Sequence, residues 1–162
     1  AVTAACEAGP GAMISVQIGG RSGPLNGDPL EDRFTVVSLH DGRFTEKKPL
    51  HGGFDSFDQG RTAVLTTNTG LTVIVTSKRM TPFSLGQISS CNLDPATFHI
   101  LVAKGVNAPI VAYQQICNSF VRVGTPGYTS ADLTSLEYFY RRRPMFPFEP
   151  DVRWSAGDAN GV

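Results

Sequence analysis

The chain has 162 residues, 41% of them hydrophobic, which is enough for one domain with a buried core and excludes disorder throughout. Charged residues are sparse and balanced, 14 Lys+Arg against 14 Asp+Glu, which excludes a dedicated nucleic-acid binder because phosphate contacts require a strong positive excess. No apolar run approaches the roughly 20 residues that cross a bilayer, and neither heptads nor periodic glycines point to a coiled coil or collagen.

Residues 1–12 are small and Gly-rich, ending Gly9-Pro10-Gly11, and have neither the basic nor the apolar region of a signal peptide. They read as a linker leaving a preceding domain. Ile14, Val16 and Ile18 alternate with polar residues and predict a half-buried strand closed by Gly19-Gly20. Residues 21–30 are dense in turn formers. Phe34–Leu39 is a second strand, and Asp41-Gly42 before Arg43-Phe44-Thr45 predicts a hairpin. Residues 50–60 form another loop. Two β-rich runs, Thr62–Thr67 and Leu71–Thr76, flank Asn68-Thr69-Gly70 and predict a second hairpin, with Leu71, Val73 and Val75 on one face.

The pattern changes after residue 80. Leu85 and Ile88 fit a short helix within 82–90, and Asp94-Pro95 a turn or cap. Phe98–Ala103 is a near-continuous apolar run, the signature of a strand buried on both faces. Lys104-Gly105-Val106-Asn107 then turns into a helix that Asn107 would cap and Pro109 would start. Ile110, Tyr113, Ile116, Cys117 and Phe120 recur at helical spacing, and Val121-Arg122-Val123 is the next strand, so 98–123 predicts a βαβ unit. Gly124-Thr125-Pro126-Gly127 closes it. Pro144 and Pro147 exclude a helix around Met145, Phe146 and Phe148, so this segment is expected to lie as an extended strap. Residues 151–162 read as a flexible tail. The fold class expected is α+β: an antiparallel β-meander with hairpins, then a βαβ unit and the strap.

The order of these features resembles the C-terminal domain of the microcystinase-C-like (MlrC-like) metallopeptidase family. The segments that carry the resemblance include Leu39-His40-Asp41-Gly42-Arg43-Phe44, Gly60-Arg61-Thr62-Ala63-Val64-Leu65 and Val73-Ile74-Val75-Thr76-Ser77-Lys78-Arg79. They continue with Val102-Ala103-Lys104-Gly105, Thr125-Pro126-Gly127-Tyr128 and Arg142-Arg143-Pro144-Met145-Phe146-Pro147-Phe148. Each is weak alone; their order and combination are specific. The resemblance assigns residues 13–150 to that domain. It implies that full-length relatives are zinc-dependent hydrolases of linear peptides or similar amides, with His, Asp and Glu ligands in an N-terminal domain absent from this chain. There the metal would polarise the scissile carbonyl and activate water. The domain present here would pack on that catalytic domain and shape the substrate cleft. One departure stands out: some relatives carry Ser and then His-Phe-Arg after the lysine, where this chain has Gly105 to Pro109, which points to a different subgroup.

No catalytic set is expected within the chain. His40 neighbours Asp41, and His51 sits near Asp55 and Asp58, but zinc requires three or four converging ligands and no such spacing occurs. Neither a nucleophile elbow nor a phosphate loop is present. Cys6, Cys91 and Cys117 are odd in number and fit no zinc motif; Cys91 and Cys117 read as core residues. The cysteine usage points to a reducing, cytoplasmic compartment. Lys104 is the candidate substrate anchor, because ligands gather at the carboxyl ends of strands in open α/β units. Asn107, Thr125 and Gly127 would line the same crevice, and Arg141–Arg143 a polar rim facing the missing domain. The rival readings are a stand-alone ligand-binding module and an enzyme complete within this chain. A homo-oligomer formed through an uncovered apolar face is also compatible.

Overall fold

The computed structural model describes residues 1–21, 23, 26–47, 53–105, 107–125, 132–153 and 155. Its centre is a four-stranded antiparallel sheet in the order β1-β2-β5-β6. The strands are β1 (Met13–Ile18), β2 (Leu30–His40), β5 (Thr62–Thr66) and β6 (Thr72–Thr76), with β3 (Arg43–Thr45) and β4 (Ser56–Asp58) paired as a separate ribbon between β2 and β5. With short helices alongside, the class is α+β, as the sequence predicts.

The core follows from register. Ile14 faces Phe34; Val36, Leu65 and Val73 form one cross-strand row; Leu39, Ala63 and Val75 form the next. These side chains make up one apolar cluster, in which Phe34, Val36, Ala63 and Leu65 are fully buried. The inward residues of β2 switch from even to odd numbers between Val36 and Leu39. The register shift between Val36 and Ser38 explains the switch, because one extra residue moves every later side chain to the opposite face.

Helix α1 (Val2–Ala8) lies on this face and buries Ala5 completely. The chain is thus helical across most of the stretch read as a linker. The helix is only seven residues long, below the length that persists alone in water, so packing holds it. Its alanines favour helix, and their small side chains allow close approach to the sheet. Gly11 N–H donates to the Val36 carbonyl at 2.8 Å, and Val36 N–H to Ala12 at 2.9 Å, fixing where the helix leaves the sheet.

The Asp41-Gly42 pair forms a corner between sheets rather than the expected hairpin. β2 pairs with β1 and β5, whereas β3 pairs with β4. The Asp41 carboxylate accepts from Arg43 N–H at 3.0 Å, and the Gly42 carbonyl accepts from Gln59 N–H at 2.9 Å. Gly42 has φ 74°, and a Cβ there would collide with the Gly60 carbonyl where the ribbon returns. The β5–β6 hairpin forms as expected. Ile74 faces away from Val73 and Val75, towards a second cluster built on Ile88, Ala112 and Tyr113. β6 therefore packs on both faces, between the main core and the helices α2 (Gly86–Ser89) and α3 (Ala108–Tyr113).

The expected βαβ unit is realised only at its helix. Neither 98–103 nor 121–123 pairs into a sheet, and Ile100, Val102, Val121 and Val123 are 79, 92, 86 and 74% exposed. Apolar composition alone does not make a strand; a ladder partner is required, and no described residue supplies one. The C-terminal strap also differs from the extended form expected. Phe148 and Glu149 N–H groups both donate to the Met145 carbonyl, so the segment turns back on itself.

Candidate functional site

Two of the predicted site residues, Lys104 and Asn107, flank the turn that leads into α3. Leu101 and Ala103 point into the second cluster, while Ile100, Val102 and Lys104 point outward, so the segment is pinned along one side. Gly105 then turns the chain with φ 151°, and a Cβ there would come within 3.3 Å of the Pro109 ring. Asn107 occupies the cap position of α3 but makes no capping hydrogen bond. Its Oδ1 instead accepts from Arg122 Nη2 at 3.3 Å. This contact, which the sequence did not single out, ties the turn after residue 104 to the segment containing Val121 and Val123.

Lys104 is exposed and forms no ion pair with a described residue. Thr125 is exposed too, and Gly127 lies outside the described residues. The structure therefore brings Asn107 to Arg122; no hydrogen bond joins Lys104 to Thr125. With only six residues, α3 is too short to act as an anion site through its N-terminus, so positive charge on this surface comes from Lys104 and Arg122.

The arginine run divides in two. The Arg141 side chain is only 11% exposed and forks onto Glu149, with Nη1 at 2.8 Å and Nη2 at 2.5 Å from its two carboxylate oxygens. It also lies 4.3 Å from the centroid of Phe148, whose ring meets Tyr138 edge-on. The Arg141 guanidinium and the Met145 N–H hold the Glu149 carboxyl down at about 2. Arg141 is thus an internal clasp for the strap rather than part of a rim; Arg142 and Arg143 remain exposed. A paired arginine and glutamate eight residues apart were visible in the sequence, but their pairing depends on the turn at Met145.

The described residues do not fit a zinc site. His40 Nε2 lies 2.8 Å from the Ser38 hydroxyl, and Asp41 accepts from Arg43 N–H. Asp55 accepts from the Ser56 hydroxyl. Lys78 at 2.5 Å and Gly60 N–H at 2.8 Å engage Asp58 and hold its carboxyl below the usual range. Among the described residues, no three His, Cys, Asp or Glu side chains converge. His51 lies outside them. Cys91 is buried, with its thiol pushed up by burial, and Cys117 packs on the second cluster, both as core residues. All three cysteines are free.

The fold and this surface define a class: an α+β domain that offers a partly cationic surface and, in its described residues, no set of metal ligands. More particularly, the chain belongs to the MlrC C-terminus family, whose sequence pattern matches residues 1–139. It is similar to "Microcystinase C" of Sphingomonas sp, 27% identical over 151 residues, which cover 93% of this chain and 28% of that protein. It is also similar to a crystal structure described as a "Putative metallopeptidase" from Mesorhizobium sp. BNC1. That match has a TM-score of 0.76 and 30% identity over 95% of this chain and 30% of the other. The chain thus spans less than a third of the length of either relative. No helix among the described residues is long and apolar enough to cross a membrane.

Proposed function

We propose that this chain is the C-terminal, substrate-cleft domain of a zinc-dependent metallopeptidase that hydrolyses peptide or amide bonds, its metal ligands lying in an N-terminal domain of a longer polypeptide. The observation that carries this reading is the length relation: the match covers nearly all of this chain but only 28% of "Microcystinase C" and 30% of the "Putative metallopeptidase". The hydrogen bonds that already engage His40, Asp41, Asp55 and Asp58 support placing the metal elsewhere. This domain's contribution is then orientation of the substrate, which acts by positioning rather than bond chemistry.

In this reading Lys104 meets a substrate carboxylate or carbonyl oxygen, with Asn107, Thr125 and Gly127 shaping the crevice beside it. The exposure of Lys104, without an ion pair to any described residue, supports that contact. The free cysteines support a reducing compartment, and the cytoplasm is the location we assign.

Zinc analysis and a linear-peptide hydrolysis assay, run on the longer polypeptide and on residues 1–162, test this reading. Stoichiometric zinc and turnover in the longer polypeptide, both absent from residues 1–162, are expected. Zinc with turnover in residues 1–162 would establish a self-contained enzyme instead. A tightly held ligand without turnover in the longer polypeptide would establish a binding module.

A further inference from the structure

We infer that residues 98–104 and 120–125 are two parallel strands of a sheet whose other strands come from the part of the polypeptide beyond this chain. The inference rests on the reading of the chain as one domain of a longer protein. Residues 100–104 alternate strictly, with Leu101 and Ala103 turned into the second cluster and Ile100, Val102 and Lys104 outward. Such a period-2 pattern is that of a strand lying against a layer of helix.

The backbone has the same unfilled capacity. Among the described residues, no backbone hydrogen bond reaches 99–105 or 118–125, although both segments are rich in strand-forming residues. The chemically similar runs Thr62–Thr66 and Thr72–Thr76 pair fully with each other. Between the unpaired segments, α3 buries Pro109, Ala112 and Tyr113 against the rest of the domain, and Asn107 holds Arg122 beside the turn. The helix is in place between two extended segments; among the described residues, neither a neighbouring strand nor a layer over Val102, Val121 and Val123 is present.

The occupant is a parallel sheet of the longer polypeptide, with a layer covering its outer face. Parallel sheets are buried on both sides, and the 74–92% exposure of four apolar side chains is that unburied side. A second copy of this chain, paired edge to edge about a two-fold axis, would leave the same face open. Completing the sheet also places Lys104 and Thr125 at the carboxyl ends of parallel strands, where ligands collect.

Hydrogen exchange on the full-length polypeptide tests the inference. Amides of 100–104 and 121–125 are expected to exchange about 100-fold or more slowly than those of the exposed turn at 68–70. Val102→Pro should remove that protection in both segments while β5 and β6 remain protected, which shows that the variant has folded. Exchange as fast as in the turn overturns the inference, as does protection that rises with protein concentration in step with dimer formation. Zinc and hydrolysis measured on the same sample separate the two readings. Turnover with unprotected segments sinks this inference alone, whereas protected segments without zinc or turnover sink the functional reading alone.

Discussion

The first 90 residues and the stretch from 98 to 150 use similar apolar chemistry to opposite ends. In the first, β-branched and aromatic side chains meet across short connections: Val36, Leu65 and Val73 find one another within a single sheet and are shielded by α1. In the second, Leu101, Ala103, Ala112 and Tyr113 pack on Ile74 and Ile88, but Ile100, Val102, Val121, Val123, Phe139 and Tyr140 stand in solvent, and the Arg141–Glu149 clasp is local. Apolar content does not decide burial; access to a partner does. The first region is closed on itself, and the second leaves apolar side chains open.

The sharpest way to break this comparison is at the closed core. Phe34→Ala should cost about 3–5 kcal/mol, because a fully buried ring leaves a cavity the sheet cannot collapse around. Denaturant unfolding followed by circular dichroism reads this directly, and a loss below about 1 kcal/mol would mean the core is not the scaffold. Next is the open side: Lys104→Ala in the longer polypeptide should lower kcat/KM about 10–100-fold, the worth of a charged hydrogen bond, with an unchanged melting temperature. Unchanged kinetics would remove Lys104 from the cleft.

Smaller effects sharpen the boundary between the regions. Gly42→Ala should destabilise by at least about 1–2 kcal/mol, since a side chain is strained at φ 74° and also meets Gly60. Chemical denaturation compares it with Gly53→Ala, which shares the strain at φ 75° but would meet nothing within 4 Å, so the extra loss at Gly42 reads the clash with Gly60. The clasp should respond to acid. The Glu149 carboxyl is held at about 2 in the fold against an ordinary value of 4.5, so its contribution is present above about 4.5 and is lost as pH falls towards 2. Limited acid proteolysis near residues 141–149 should rise over that window, and Glu149→Gln should flatten the rise. Least of all, Tyr140→Ser should shift stability of this chain by no more than about 0.5 kcal/mol, because the ring is fully exposed. A larger loss in the same denaturation assay would show that the open side is already closed.

Much of the sheet was legible. The alternation in Ile14–Ile18 and the Asn68-Thr69-Gly70 turn between two β-branched runs are short-range signals, and both elements formed where they pointed. Three features resisted. The N-terminal helix was hidden because small residues before Gly9-Pro10-Gly11 look like a linker until a sheet lies beneath them. The corner at Asp41-Gly42 has the residues of a hairpin, and only the distant strand β4 claims β3 away from β2. The clasp needed Glu149 to fold back through the turn at Met145. At the candidate site the break in the apolar run singles out Lys104 and Asn107 as proposed contacts, but nothing local marks the Asn107–Arg122 hydrogen bond, whose partners lie fifteen residues apart.

The amino-acid sequence by itself determined the strand-forming runs, the turn glycines, the lack of a ligand motif and the resemblance to one family, since each depends on residues close along the chain. Tertiary structure alone decided which runs became strands, which arginine was locked inside and which apolar side chains stayed uncovered. Those outcomes depend on which surfaces meet, and a backbone amide or a methyl group gains its stabilisation only from the neighbour that the fold brings to it.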